Sequence, residues 1–598
     1  MYLSKLKIKN FRGIKKMTIP FNKSINILIG ENNSGKSTII DALRICLGYG
    51  KSDNTIQLKE TDLHLNINDY DDRSNVIQFD IEFEIEENPL EKQCFYDFIS
   101  IDKESQKEVI KFHLKYIWVN RGKQKFFKRE VWGGEHENQQ IPYEALQEIF
   151  FTYLDSLRDA VNALRPYSYN NKTAQLFNEL TSFKKGEETE SLNPEIKQRM
   201  ASELYSVFED PKKNWSHILK YANGKVNTHL EGTGISNKYP DIVMNYKGRK
   251  YSDVVRGVEL KRPVFKEPKG EQEYFEIFQN GLGENNLIYT SVVLGDLLNR
   301  CEDADLQIYN ALLVEEPEAH LHPQFQNTFF NYLNKLKDSG LQIFITSHSP
   351  TITAKSSFEN VTVLQRKKDI FHPFSFSQLD ENDFSTKNRK HLRKFLDTTK
   401  SQLFFANGVI LVEGIAEAIL LPVLAKYCLE NPVDLDKEGI EIVNVGGVAF
   451  EHFAKLFNNE SAKKRLKSKC ALITDSDPKN GEKSARARKA EKLGGKNLLV
   501  KLSDNTLEHD LFETSEDNKK IMQIIYRTLH QKSTNLRGDF DASILMEKLK
   551  SNQDKGEFAL ELRDILSGDS KNEEINLDKM RFTVPQYIKE AINWVIDK

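Results

Sequence analysis

The chain has 598 residues, 39% hydrophobic and 29% charged, a globular balance that excludes a disordered or fibrous protein. With 85 basic against 88 acidic residues the net charge is −3, so there is no global basic field and any nucleic-acid surface must be local. Five widely spaced cysteines with no C-x-x-C pair exclude a disulfide framework and argue against zinc. No apolar run approaches the roughly 18 residues of a membrane span, and Met1 to Leu6 alternates without a signal-peptide core, which predicts a cytoplasmic protein with no membrane partner.

In chain order, residues 3–29 read as strands, with alternation at Leu6-Lys7-Ile8-Lys9 and a buried-type run up to Ile29. A glycine-rich turn and a helix from Lys36 to about Leu47 follow. Residues 76–86 alternate as a half-exposed strand, and 110–132 read as a further meander. From Glu144 to about Tyr221 the spacing is helical, with Phe150, Leu154, Leu157 and Val161 as one stripe, broken by a polar loop at 183–193. Residues 251–265 look extended. Helix and strand alternate from about 284 to 364, a polar and basic stretch at 366–400 reads as a domain junction, a second α/β pattern runs from Val409 to about 515, and 516–598 is mainly helical.

The turn Gly30-Glu31-Asn32-Asn33-Ser34-Gly35-Lys36-Ser37 fits G-x-x-x-x-G-K-S, preceded by a strand and followed by a helix, the context a P-loop requires. Glycines let backbone N–H groups cradle phosphate oxygens, and the helix start adds partial positive charge. Gly30, Asn32, Asn33, Gly35, Lys36, Ser37 and Thr38 are the expected ATP contacts, with Lys36 on the β/γ-phosphates and the Ser37 hydroxyl on Mg²⁺. The apolar run Ile308 to Val314 ends in Glu315-Glu316-Pro317-Glu318. There Glu315 is placed to hold Mg²⁺ through water and Glu316 to polarise the attacking water. Phe344 to Pro350 is another strand ending in a polar turn, from which His348 can reach the γ-phosphate.

A second constellation is acidic. Val409 to Val412 ends at Glu413-Gly414, and Glu417 lies one helical turn onward, so both carboxylates can point to one site. Ile442 to Gly447 is a strand and glycine turn. Cys470 to Thr474 leads into Asp475-Ser476-Asp477, where positions i and i+2 of a strand share a face. Carboxylates gathered at strand ends suit a hard divalent cation. Basic runs flank them: Arg389 to Lys394 before the segment, Lys463 to Lys469 before the D-x-D pair, and Lys483 to Lys492 after it. They are solvated faces or phosphate contacts. No base-reading module stands out.

The first set of motifs, with Leu6 to Ile14 and the Glu316 to Pro323 stretch, resembles the ABC-type ATPase heads of SMC and RecF proteins. The resemblance implies that Arg12 lies near nucleotide. It also implies that the loop Asn280 to Leu287, with Gly281 and Gly283, stands where ABC signature loops cap the ATP of a partner subunit; one P-loop per chain then requires a homodimer or a higher homo-oligomer. The acidic order resembles the Toprim domain. Tyr153 to Ala160, Leu396-Asp397, Thr506 to Leu511, Lys555 to Ala559 and Val584 to Ile588 resemble the nucleases of the overcoming-lysogenization-defect (OLD) family.

The fold class this implies is α/β: an ABC-type head with a helical insertion, then a Rossmann-like Toprim domain with a helical C-terminal extension. The expected domains are 1–145 (P-loop part of the head), 146–250 (helical insertion, a dimerisation region or an internal packing layer), 251–395 (remainder of the head) and 396–598 (Toprim). By resemblance, Glu413, Glu417, Asp475, Asp477 and Glu508 or Asp510 ligate one or two Mg²⁺ or Mn²⁺ ions and Lys555 stabilises the pentacovalent charge, in an ATP-regulated DNA endonuclease of antiphage defence, alone or beside a further defence protein or nucleic-acid component. The competing readings are a RecF-like clamp with a non-catalytic acidic domain, and a topoisomerase or primase, for which none of the 21 tyrosines stands out as nucleophile.

Overall fold

The computed structural model describes residues 1–51, 56–66, 69–86, 89–102, 106–122, 124–156, 159–168, 171–180, 182–210, 212, 214–232, 250–264, 273–302, 308–319, 321–367, 370–446, 450–478, 482–530, 540–549, 551–570 and 572–596. Leu157, Arg158, His320 and Gly447, which fall within motifs named above, lie outside them.

The head contains two six-stranded sheets. One is antiparallel, built on Tyr2–Phe11, Ile14–Pro20, Val76–Glu84, Glu108–Arg121 and Gln124–Gly133. The other runs in the order Ile149–Leu154, Tyr309–Glu315, Leu341–Ser347, Ile25–Ile29, Val361–Lys367 and Ile370–Ser375; the first five are parallel and the last antiparallel. Its central strands are buried at every position because both faces are covered, as in parallel sheets generally. Pairing of Glu315 with Thr346 and of Ser347 with Ile29 brings three carboxyl-terminal strand ends side by side, at the edge where open α/β sheets bind ligands.

Several expectations are corrected. Phe150 and Leu154 belong to a strand, not a helical stripe: a short apolar run buried against a parallel neighbour also fits 3.6-residue spacing over so few residues. The predicted loop at 183–193 is largely a hairpin, Ser182–Lys185 with Glu188–Ser191, turned at Gly186 with φ 70°. Residues Tyr251–Val255 are helical, and among the described residues of that stretch the strand is Lys261–Pro263. The insertion's helices Lys172–Glu179, Pro194–Glu209 and Asn214–Gly232 follow the edge strand, and the first packs on the long helix Leu282–Glu302.

The second domain is a four-stranded parallel sheet in the order Ile440–Asn444, Gly408–Val412, Lys469–Thr474 and Leu498–Leu502. Helices Ile415–Val423, Leu507–Glu513, Asn552–Ser567 and Gln586–Ile596 pack around it.

The stretch 366–400 is no loose linker. It supplies the last strand of the head sheet and the helix Thr386–Phe395, and one hydrophobic core runs from Ile27 and Leu312 through Phe376 and Phe404 to Leu411 and Leu472. Phe376 is fully buried among Phe358, Phe374, Phe384 and Phe404, with ring centroids 5.0–6.3 Å away. Phe376→Ala should therefore cost about 3–5 kcal/mol and lower the unfolding temperature of both domains together in calorimetry. A loss confined to one of two resolved transitions would contradict the shared core.

Candidate functional site

At the first strand-end cluster, Gly30 has φ 151°, and a Cβ there would stand 2.3 Å from the carbonyl oxygen of Leu364, so only glycine fits. Lys36 donates from Nζ to the carbonyls of Gly30 and Glu31, both at 2.8 Å. Burial lowers its pKa, with Glu316, Glu318 and Glu31 pulling the other way. Asn32 and Asn33 are exposed on the loop, and Ser37 and Thr38 open the helix Lys36–Leu47.

Ser37 Oγ donates to Glu315 Oε2 at 3.0 Å and Tyr153 donates to Glu315 Oε1 at 3.0 Å. Burial raises the Glu315 pKa, and these two hydrogen bonds oppose the rise. The Arg44 guanidinium lies 3.7 Å from the centroid of the Tyr153 ring. Glu316 sits in the left-handed region at φ 42°, held by its amide donating to Thr346 O at 3.0 Å. For a non-glycine residue this is strain that the surrounding packing must maintain. His348 Nδ1 lies 3.4 Å from Glu316 and 3.8 Å from Glu318. Glu318, buried, accepts from Ser347 Oγ and His348 N at 2.8 Å each.

Arg12 is clamped by Asp62 at 2.9 Å and by Asp41 at 2.6 Å, one turn along the P-loop helix from Ser37. Gly281 and Gly283 stand at the start of the helix Leu282–Glu302, with open space around Gly281. Beside them Asn280 and the fully buried Asn286 have side chains without hydrogen-bond partners among the described residues.

At the second cluster the strands end at Val412, Thr474 and Leu502. A Cβ on Gly414 would stand 2.8 Å from Glu417 Oε2, so glycine lets that carboxylate turn back over the strand end. Asp475 accepts from Ser503 Oγ at 3.1 Å. Its pKa is pushed up to about 8 by burial first, then by Glu417 and Glu508. Burial also raises Glu417, with Glu508 adding to it. Lys555 Nζ bridges to Glu508 Oε2 at 3.0 Å. Burial lowers the Lys555 pKa, but Glu508, Asp475 and Glu417 outweigh it and the net shift is upward. Glu417, Asp475, Glu508 and Lys555 thus form one electrostatic group.

The other predicted members stand differently. Glu413 accepts from Thr474 Oγ1 at 2.6 Å and pairs with Arg486. Asp475 and Asp477 lie beyond the strand's end, so strand alternation does not bring them to one face; Asp477 has φ 43° and its amide donates to Asn505 O at 3.4 Å. Asp510 accepts from the amides of Asp504 and Asn505 at 2.6 and 3.1 Å, holding that turn. Among the described residues no three carboxylate, imidazole or thiolate groups stand close enough to hold an ion as they are; Arg486 and Lys555 occupy Glu413 and Glu508. The donor set nevertheless fits a hard cation. It consists of carboxylate oxygens alone, and a divalent charge relieves what raises Asp475, burial first and then repulsion from Glu417 and Glu508.

The flanking basic runs are largely engaged internally. Lys464 pairs with Asp380 at 3.3 Å and with Asp383, Lys483 with Glu491 at 2.6 Å, and Lys489 with Glu451 at 2.6 Å. Arg389 donates to Leu379 O at 2.6 Å, and Arg465 to the carbonyls of Asn459 and Glu460 at 2.6 and 2.7 Å. Lys463, Lys390 and Lys492 remain exposed. Sequence reasoning missed Tyr153 as a partner of Glu315, although the stretch it opens was noted by resemblance, and missed Ser503 and Thr474 as carboxylate partners, which no local pattern marks. No described helix is long and apolar enough to cross a membrane.

Residues 1–353 match the AAA ATPase domain family, and residues 404–477 match the family described as overcoming lysogenization defect protein-like, TOPRIM domain. The chain is 23% identical over 719 residues to Endonuclease GajA of Bacillus cereus (strain HuB5-5), covering 100% of this chain and 99% of that one. It is 22% identical over 487 residues to Old nuclease of Escherichia phage P2, covering 79% and 78%. OLD nuclease of Thermus scotoductus is 30% identical over 141 residues, 23% of this chain and 26% of that one. A nucleotide cluster inside the first match and an acidic cluster whose Glu413, Glu417, Asp475 and Asp477 fall inside the second, each at the carboxyl edge of its own sheet, place the chain in the AAA ATPase domain family as an OLD-family protein that joins this ATPase to a Toprim domain.

Proposed function

We propose that the protein is an ATP-regulated, divalent-metal-dependent DNA endonuclease that serves antiphage defence. The observation that carries this reading is the group of buried Glu417 and Glu508 with half-buried Asp475 and Lys555 at the Toprim sheet's edge, which has a donor set for a hard cation and a cation poised for phosphate. These carboxylates would hold Mg²⁺ or Mn²⁺, joined by Glu413 once Arg486 withdraws. One or two such ions would activate water and neutralise charge on the scissile phosphate. Lys555 Nζ, released from Glu508, would meet the negative charge that develops on the phosphate oxygens. Asp475 and Glu417 would fix the donor geometry, and Ser503 and Thr474 the rotamers of Asp475 and Glu413.

The head would govern the nuclease through direct contact. Strand Val361–Lys367 pairs with the P-loop strand, and its Gln365 donates to Ser468 Oγ at 3.2 Å and accepts from Lys467 N at 2.7 Å, immediately before the strand that carries Asp475. The loop Glu31 to Ser34 and Lys467 to Lys469 line one cavity of about 360 Å³ between the domains. Completion of the ATP site by the Gly281–Gly283 loop of a second copy would make a homodimer the working unit.

The test is cleavage of plasmid DNA with Mg²⁺ or Mn²⁺, with and without ATP. Metal-dependent nicking or linearisation that changes with ATP is the expected result. ATP hydrolysis and DNA binding without any cleavage would favour the clamp reading instead.

A further inference from the structure

The C-terminal helix Gln586–Ile596 packs on the Toprim strands, and its second residue, Tyr587, belongs to neither cluster of expected site residues. Its ring packs at the margin of the core that contains Ile588, Ala591 and Val412. Its hydroxyl oxygen is buried and has no hydrogen-bond partner among the described residues. Buried hydroxyls are nearly always paired, so an orphan of this kind needs an explanation, strain or a water or ion that it binds. The charges that reach this oxygen are those of Asp510, Asp475, Glu417 and Glu508. None of them is its hydrogen-bond partner, and a water is the ordinary bridge between polar groups too far apart to bond directly.

We propose that Tyr587 is a positioning residue of the acidic site: its hydroxyl donates a hydrogen bond to a water held among Glu417, Asp475 and Glu508, fixing the donor set for a hydrated divalent cation. This rests on the metal-nuclease reading and assigns that site one more residue. Burial, and after it the four carboxylates, raise the phenol's pKa, which keeps the proton on the oxygen and leaves it a donor. A nucleophilic role requires the phenolate, which the same surroundings disfavour.

An unpaired buried hydroxyl lowers stability, whereas one that orients a ligand raises affinity, so the two effects of its removal have opposite signs. Tyr587→Phe deletes only that oxygen. Thermal unfolding of the full chain in EDTA, then in a titration of Mn²⁺ alone without nucleotide, measures both effects, with Asp475→Asn as the blank for binding elsewhere. The expected result is a metal-free unfolding temperature equal to or above wild type, with the Mn²⁺ concentration for half the thermal shift raised about tenfold. A Mn²⁺ titration that superimposes on wild type overturns the proposal. A variant that unfolds far below wild type in EDTA also overturns it, since the hydroxyl is then structural. If wild type itself shows no Mn²⁺ shift beyond the Asp475→Asn blank, the metal-nuclease reading fails and Tyr587 falls with it, an outcome distinct from wild type responding and Tyr587→Phe responding equally.

Discussion

Asp475→Asn is expected to reduce metal-dependent cleavage by about 10³-fold or more, the loss of several kcal/mol of charge stabilisation at the phosphodiester, while leaving the metal-free protein at least as stable as wild type. Both halves follow from one feature. In the metal-free chain the Asp475 carboxyl holds its proton up to about pH 8, because burial, Glu417 and Glu508 disfavour its charge. The unfolded chain gives up that proton near the ordinary aspartate value of 3.8. The folded state therefore binds the extra proton across this window. Its stability is greatest below the lower value and falls as pH rises towards the upper one. Asparagine carries no charge at any pH and keeps a similar shape, so the variant's advantage should grow across the window and level off above it. A divalent cation competes with the same proton, so metal affinity of the wild type should rise with pH over the same range. Thermal unfolding in EDTA at several pH values, for wild type and variant, checks the stability half. Parallel pH profiles would sink it, and retained cleavage would remove Asp475 from the chemistry.

The nucleotide cluster was legible in the sequence because its parts are contiguous: glycine turn, strand and helix sit within one stretch, and Glu315, Glu316 and His348 each end an apolar run. Strand order and register could not be read that way. That Glu315 aligns with Thr346 and Ser347 with Ile29 is a property of pairing between separate segments, the second pair spanning most of the head. The acidic cluster was half legible. Glu413, Glu417 and Asp475 follow from strand ends, but the D-x-D spacing suggested a shared face for Asp475 and Asp477 that vanishes once the strand stops at Thr474. Glu508, Lys555 and Tyr587 arrive on three helices; the first two were reached only through the family resemblance, and packing of Asn552–Ser567 on Ile415–Val423 and of Gln586–Ile596 on the sheet decides what Lys555 and Tyr587 face. The Arg486 pair with Glu413 was hidden for the same reason: the basic run Lys483 to Lys492, open in the sequence as a solvated face or phosphate contacts, sends this one side chain to a carboxylate of the site. Phe150 to Leu154 shows the converse limit: one short apolar run satisfies both periodicities, and only its parallel partner Tyr309–Glu315 settles the matter.

Glu316→Gln and Lys36→Ala should both stop ATP turnover but drive the nuclease in opposite directions. Glu316 is held at φ 42° with its carboxylate 3.4 Å from His348, beside the P-loop lysine whose pKa it helps to raise against burial. That placement suits a group that polarises the attacking water at the γ-phosphate. Its amide analogue should lower hydrolysis by about 10²–10³-fold, the usual worth of a general base, with ATP affinity kept. Lys36 already forms charge-assisted hydrogen bonds to Gly30 O and Glu31 O and would exchange them for phosphate oxygens, so its loss should remove ATP binding itself. The first variant then holds the ATP-bound head indefinitely, and the second never reaches it. If the Gln365 contacts carry nucleotide state to the Asp475 strand, plasmid cleavage by Glu316→Gln in ATP should match the ATP-saturated wild type, and cleavage by Lys36→Ala should match the wild type without nucleotide, whichever of the two is the active state. Filter binding of labelled ATP separates the variants before any DNA is added. Identical cleavage by the two variants in ATP would mean that turnover, not occupancy, sets the nuclease, and the static contact through Gln365 would then not be the gate.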